Sequence, residues 1–409
     1  MRLLITSESH ASCGAMGDIY ADGPANYSSW SNYLTWFDEV VVLARVGAHG
    51  EADPKKTRAD GPGVSFYPLP DYLGPWQYLR ALPDLRVRVR KAVAQCDAFI
   101  LRVPGLIGRL TWRELKKRRI PYSLEVVGDP WDVLGPGTWP NPFRPMFRRL
   151  GARNLQEMCR EATAIHYVTQ YALQRRYQPG AKSFVVAFSD ILTDLGCVPP
   201  ETLEDRYRRI ERSTEQTKSQ RVVHIGFIGS LARLYKGPDV LLRAAALCRG
   251  LGLDCAITMV GDGLYAGAMK NLARDLQIDD RTTFLGQIPF GKPVLAYLDS
   301  VDLFAIPSRQ EGLPRALVEA MARGCPCIGS SVGGIPELLD PGDLVPPNDP
   351  EALARKIMEI VRDPQRMKRM SERNLERAKQ YDPGILKEKR REFFQYVREY
   401  SGNNRKSRS

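Results

Sequence analysis

Residues 307–337 read PSRQEGLPRALVEAMARGCPCIGSSVGGIPE, and the order of turns in this stretch decides the fold. A Glu-Gly-Leu-Pro turn at 311–314 opens a helical pattern, Gly324 closes it, and the short run CPCIG at 325–329 follows. A second glycine turn, Gly333-Gly334, lies just past that run. A brief, continuously apolar strand next to a helix implies burial on both faces, hence a parallel sheet covered by helices.

The same alternation extends outward in both directions. In the second half, apolar β-branched runs stand at 223–229, 255–260, 282–286, 302–306 and 325–329. In the first half they stand at 2–6, 39–45, 97–103, 122–127, 164–168 and 184–188, most of them separated by segments of helical period. Between the halves, 199–220 is polar, charged and poor in apolar residues, and reads as a linker. The expected architecture is α/β: two Rossmann-like, doubly wound domains facing each other across a cleft. Residues 1–198 form the first domain and 221–380 the second, with 381–409 a terminal helix and basic tail.

With 409 residues the chain is too long for one ordinary core. Its 43% apolar and 26% charged residues are normal for a globular protein, and no run approaches the ~18 apolar residues of a membrane span. Eight cysteines without a C-x-x-C pair suggest neither a zinc site nor a disulfide framework, and a reduced cytoplasmic setting is expected. The MRLLITSESH start reads as a first strand, not a signal peptide. A formal charge of +12 calls for an anionic partner, and no recognition motif directs it to nucleic acid.

Glycine-rich and polar signals fall after the second-half strands, where open α/β sheets bind ligands. Gly229 ends the first of those strands, Gly261-Asp262-Gly263 the second, Gly286 the third and Ser308 to Gly312 the fourth. Bare backbone there admits a close ligand and exposes N–H groups to phosphate. Gly312 can take positive φ, Pro314 suits a first helical turn, and free N–H groups of Gly312 and Leu313 would face a phosphate. Glu319 lies eight helical residues beyond Glu311, a rise of ~12 Å, and a carboxylate accepts bonds from paired ribose hydroxyls.

These residues resemble glycosyltransferase family 4, the retaining transferases of GT-B fold. The resemblance rests on FIGSL…YKGPDVLLRAA at 227–245, MVGDGLYAGAMKNLA at 259–273, TFLGQIP at 283–289 and VDLFAIPSRQEGLPRALVEAMARGCPCIGSSVGGIPELL at 301–339. It implies that Glu311 holds hydroxyls of a donor sugar, Glu319 the nucleotide ribose and Lys236 the donor diphosphate. The backbone around Gln287 and Ile288 would read the base. The donor would be a UDP- or GDP-sugar, with no cofactor or metal required; the chain also carries no D-x-D. Two departures stand out. The family's arginine after the strand-ending glycine is Ser230 here, with Arg233 the nearest cation. The family's histidine following a strand near residue 100 is missing from LRVPGLIG at 101–108.

The first half is expected to bind the acceptor, a glycan or a lipid-linked glycan. The residues read for it are His10, Gly14 and Gly17 near the first strand, and Asp129 and Trp131 in GDPWD. Phe143, Met146, Phe147 and Leu150 follow helical spacing among Arg144, Arg148, Arg149 and Arg153, which suits a helix on an anionic membrane. A cytoplasmic, peripherally membrane-associated transferase of surface-glycan assembly follows. The rival readings are a nucleotide-sugar epimerase of the same fold and a binding protein that has lost catalysis.

Overall fold

The computed structural model describes residues 1–21, 25–47, 56–135, 141–191, 196, 198–215 and 222–406. Trp139, His49, positions 216–220 of the expected linker and position 221 lie outside them, as does the tail past 406.

The first sheet is built from β1 (Arg2–Cys13), β2 (Ile19–Ala21), β3 (Glu39–Gly47), β4 (Thr57–Arg58), β5 (Val64–Leu69), β6 (Ala98–Val103), β7 (Ser123–Val126), β8 (Ala164–Tyr167) and β9 (Phe184–Ala187). Its parallel body runs β5-β3-β1-β6-β7-β8-β9. The second sheet comprises β10 (Val223–Ile228), β11 (Cys255–Val260), β12 (Thr282–Gly286), β13 (Leu303–Ile306), β14 (Cys327–Ser330) and β15 (Leu344–Val345). It is ordered β12-β11-β10-β13-β14-β15, parallel throughout. Both orders reverse beside the first strand of their half, which places a binding crevice beyond the carboxyl ends of β1 and β10.

Continuous apolar strands are buried as expected. All four residues of β13 and of β14 are buried, as are Leu3, Leu4 and Ile5 of β1. β1 runs seven residues past its expected end, through a register shift between Thr6 and His10, and pairs antiparallel with β2. Strand β5, carrying Pro68 on the sheet edge, had no alternating signal to announce it.

The polar segment read as a linker is a helix over Pro200–Glu215. Ile210 packs in the second domain's core, and Arg206 is fully buried, donating to the carbonyls of Val301, Leu298 and Arg323. The apolar pattern was faint because an arginine holds one of the buried positions. The terminal helix Pro383–Lys406 lies against β6, β8 and β9 of the first sheet. There Phe394 meets Tyr33 edge-on at 5.1 Å, and Arg390 donates to the Ser189 and Ile191 carbonyls. One apolar cluster thus runs from a face of one sheet to a face of the other.

Candidate active site

At the carboxyl ends of β10 and β13 two loops meet. After β10 the chain turns through a short 3-10 helix, Leu234–Lys236, into Gly237 at φ 71°. A Cβ on Gly237 would lie 2.1 Å from the Pro307 carbonyl oxygen, so only glycine lets the two loops touch. Arg309 ties them further, with a bidentate pair to Asp239 at 2.8 and 2.7 Å and its N–H on the Tyr235 carbonyl at 2.7 Å. The result is a fixed charge pair. Lys236 Nζ donates to both oxygens of Glu311, at 2.7 and 2.8 Å, and Ser308 Oγ donates to Oε1 at 2.7 Å. Glu311 is 8% exposed, so a lysine and a hydroxyl satisfy a nearly buried carboxylate at the mouth of the crevice.

The glycines also serve the packing of the loops. Cβ atoms on Gly261 and Gly263 would sit 1.9 Å from the Gly229 carbonyl oxygen and 2.1 Å from the Ala232 nitrogen. One on Gly229 would press on Phe227 and Lys236. These three glycines therefore let the β10 and β11 loops pack on each other, which seats Lys236. Gly312 does not adopt positive φ; Gly333 does, at 52°. What excludes a side chain at Gly312 is the first domain, since its Cβ would be 2.6 Å from the Val127 carbonyl oxygen. Leu313 packs against apolar clusters of both domains. The helix that follows, Arg315–Ala322, has no side-chain cap and no acidic residue in its first turn, which leaves its positive end open.

Glu319 lies on that helix, partly buried, and burial raises its carboxyl above the ordinary glutamate range against the pull of Arg315. Ser230 is exposed and accepts the Ala232 N–H at 3.2 Å, closing its own turn. Arg233 is exposed at the start of the 3-10 helix. Gln287 is exposed just after β12, while Ile288 packs inward.

Across the crevice, His10 falls inside β1 rather than after it and bonds Asp71 at 2.7 Å. Gly14 and Gly17 make the tight β1–β2 turn, with Gly17 at φ 86°. Asp129 is 7% exposed and saturated: it caps the short helix Pro130–Val133 through the Trp131 N–H and bonds Arg176 and Tyr177. The Trp131 ring carries guanidinium groups, Arg148 at 3.9 Å and Arg176 at 5.6 Å from its centroid.

Two carboxyls of the first domain, Asp129 and Asp132, border the crevice, and Asp132 is the more exposed. It lines a groove of about 470 Å³ together with Tyr171, Arg175 and Arg176 of the first domain and Gly333 and Pro336 of the second. Burial, reinforced by Asp129, pushes Asp132 up to about 6. Neither it nor Glu337 was singled out from the sequence. Glu337 accepts the backbone N–H groups of Gln170, Tyr171 and Ala172 at 2.6, 3.0 and 2.5 Å, clasping the first domain from the second. The GGIPE run carried that signal, since a carboxylate beyond a glycine turn suits exposed N–H groups. The seven described cysteines are all free, and no cluster of metal-ligating side chains occurs among the described residues.

Residues 209–377 match the family described as glycosyl transferases group 1. Over 347 residues the chain is 25% identical to protein CapJ of Staphylococcus aureus, covering 83% of this chain and 82% of that one. It is 31% identical over 214 residues to the putative colanic acid biosynthesis glycosyltransferase WcaL of Salmonella typhimurium, 48% of this chain and 51% of the relative. With the amylovoran biosynthesis glycosyltransferase AmsK of Erwinia amylovora it shares 32% over 181 residues, 41% of this chain and 44% of that protein. Among solved structures, sucrose-phosphate synthase from Thermosynechococcus elongatus superposes with a TM-score of 0.64 at 16% identity, covering 100% of this chain and 98% of that one. Anabaena HepE in complex with UDP-glucose superposes with a TM-score of 0.61 at 17% identity over 100% of both chains. Those structural likenesses give the fold, GT-B. The relatives and the matched residues give the rest: the chain is a glycosyltransferase, and its residues 209–377 are similar to the glycosyl transferases group 1.

Proposed function

We propose that this enzyme moves a hexosyl unit from a nucleoside diphosphate sugar to a glycan or lipid-linked acceptor, with retention at the anomeric carbon, in the assembly of a surface polysaccharide. The observation that carries the reading is the Lys236–Glu311–Ser308 cluster at the crevice. As the anomeric carbon leaves the β-phosphate, charge grows on the sugar and on the departing diphosphate. Lys236, Arg233 and the open end of the Arg315–Ala322 helix would stabilise the phosphate, a preorganised electrostatic role. In this reading Glu311 exchanges its bonds to Lys236 for hydroxyls of the donor sugar as the diphosphate draws the lysine away. Glu319 would hold the ribose, and Gln287 and Ile288 would border the base. UDP and UDP-glucose in the HepE complexes and the polysaccharide products of WcaL and AmsK support the donor and pathway class.

No helix among the described residues is long and apolar enough to cross a membrane. Contact with an anionic bilayer is supported instead by apolar side chains left in solvent on basic helices. Phe143 and Met146 are 61% and 54% exposed, and Trp76 is 77% exposed on a helix rich in arginine.

A thermal-shift screen against UDP, GDP, ADP and their common sugars tests the donor site. A ligand at 100 times its Kd stabilises by about 2.7 kcal/mol. One nucleotide should raise the melting temperature of wild type and fail to do so in Glu319→Ala. No shift from any nucleotide, with folded protein, removes the assignment.

A further inference from the structure

A second groove lies on the first domain, outside the donor crevice. Its volume is about 710 Å³, and Arg149, Arg153, Arg160, Arg176, Trp131 and Glu157 line it. Arg149, Arg153 and Arg160 all come from one helix, Arg144–Glu161, and the spacing of 4 and 7 residues puts them on one face. Mutual repulsion of cations at this spacing costs stability, and carboxylates offset the charge of Arg118, Arg309 and Arg373 elsewhere. Here they do not: among the described residues no carboxylate is paired with Arg149, Arg153 or Arg160. Glu157, the acid in the groove, is held by Lys116 at 2.6 Å. Arg176 completes the set from the next helix and is braced by Asp129.

Two neighbours give the groove a direction. Arg176 also lines the 470 Å³ groove that reaches Gly333, beside Glu311. On the other side, Phe143, Met146, Phe147 and Leu150 occupy the adjoining stripe of the same helix and are 61%, 54%, 38% and 39% exposed. Apolar stripe, arginine groove and crevice follow one another across the domain.

We propose that the arginine groove is a phosphate-binding subsite for the acceptor, taking the phosphate or diphosphate that anchors the growing glycan. Guanidinium groups match phosphate oxygens in pairs, and four of them around one groove suit a diphosphate better than a neutral sugar. An amphiphile bound there lays its chain along the apolar stripe and presents its sugar end through the Arg176 gap to Glu311. The inference rests on the transferase reading for its purpose, but not for its test.

Inorganic pyrophosphate is titrated into Lys236→Ala, which lacks the cation assigned to the donor diphosphate, and into Lys236→Ala with Arg149→Gln, Arg153→Gln and Arg160→Gln. All three arginines are exposed, so the fold should survive, and a matching Arg→Lys triple keeps the charge as control. The glutamine triple should weaken pyrophosphate by about tenfold or more, and the lysine triple should recover part of it. Equal affinity with and without the arginines overturns the proposal, whatever the donor site does. Neutral phosphatidylcholine vesicles, plain or doped with a prenyl diphosphate, then distinguish the sources. Loss of binding to doped vesicles in the glutamine triple assigns a lipid carrier. Retained vesicle binding beside lost pyrophosphate binding assigns a soluble phosphorylated glycan. A donor-site failure would appear in the nucleotide screen and leave this titration unchanged.

Discussion

Replacing Lys236 by methionine leaves the Glu311 carboxylate with Ser308 as its remaining side-chain donor among the described residues. The side chains are 17% and 5% exposed, so the pair is close to buried. Removing one member of a buried pair costs about 3–5 kcal/mol, because the other charge is left uncompensated. The lysine's residual exposure argues for the lower end, about 3 kcal/mol. For a domain of 150–250 residues each kcal/mol lowers the melting temperature by about 2–4 °C, so Lys236→Met should melt roughly 6–12 °C below wild type. Adding Glu311→Gln removes the stranded charge, and the double variant should regain most of that loss. Scanning calorimetry without nucleotide reads both effects, and a donor assay beside it separates folding from chemistry. The double variant should be stable and inactive. A single variant melting within about 2 °C of wild type, or a double variant no better than the single, would refute the view that this pair is a preformed, mutually neutralising site.

Asp132 offers a pH test with a definite sign. Its folded pKa, about 6, stands above the ordinary 3.8, so the native state prefers its protonated form. The stability this contributes is complete below about 4 and lost as pH rises through about 6, so Asp132→Asn should be neutral near pH 4 and stabilising by roughly 3 kcal/mol at pH 7. Denaturant titrations at the two pH values check this, and equal effects at both would contradict it. In Gly312→Ala the new methyl meets the Val127 carbonyl across the domain boundary, a strain of about 1–3 kcal/mol. Small-angle scattering should show a larger radius, with a lower kcat; no change in either defeats the argument. Arg206→Met strands the carbonyls of Val301, Leu298 and Arg323, at a cost of about 2–4 kcal/mol seen in urea unfolding.

The second domain was the most legible part of the sequence. Its central strands β13 and β14 are buried on both faces and read as continuous apolar runs, and β11 and the half-exposed edge strand β12 occupy the expected residues. Where one side chain had two duties, the pattern misled. The Pro200–Glu215 helix hides its anchor in an arginine, and β5 carries a proline on the sheet edge. Lys236 and Glu311 could be found because the family's motif carries them. The reason for Gly312 could not, because it depends on a carbonyl 185 residues away in sequence, that of Val127. In GDPWD, Asp129 is singled out from the sequence and Asp132 is passed over, because spacing carries no information on which of the two is buried. In the fold both border the groove, but Asp129 is nearly buried and held by Arg176 and Tyr177, whereas Asp132 is the more exposed.

The central claim is that a donor sugar leaves its diphosphate at Lys236 and passes to an acceptor held by the first domain. The most direct measurement supplies UDP- and GDP-sugars labelled in the sugar, with a lipid and glycan extract as acceptor, to wild type and Lys236→Met/Glu311→Gln. The account predicts label in the acceptor fraction with one donor and wild type only. Label transferred equally well by the double variant would contradict it.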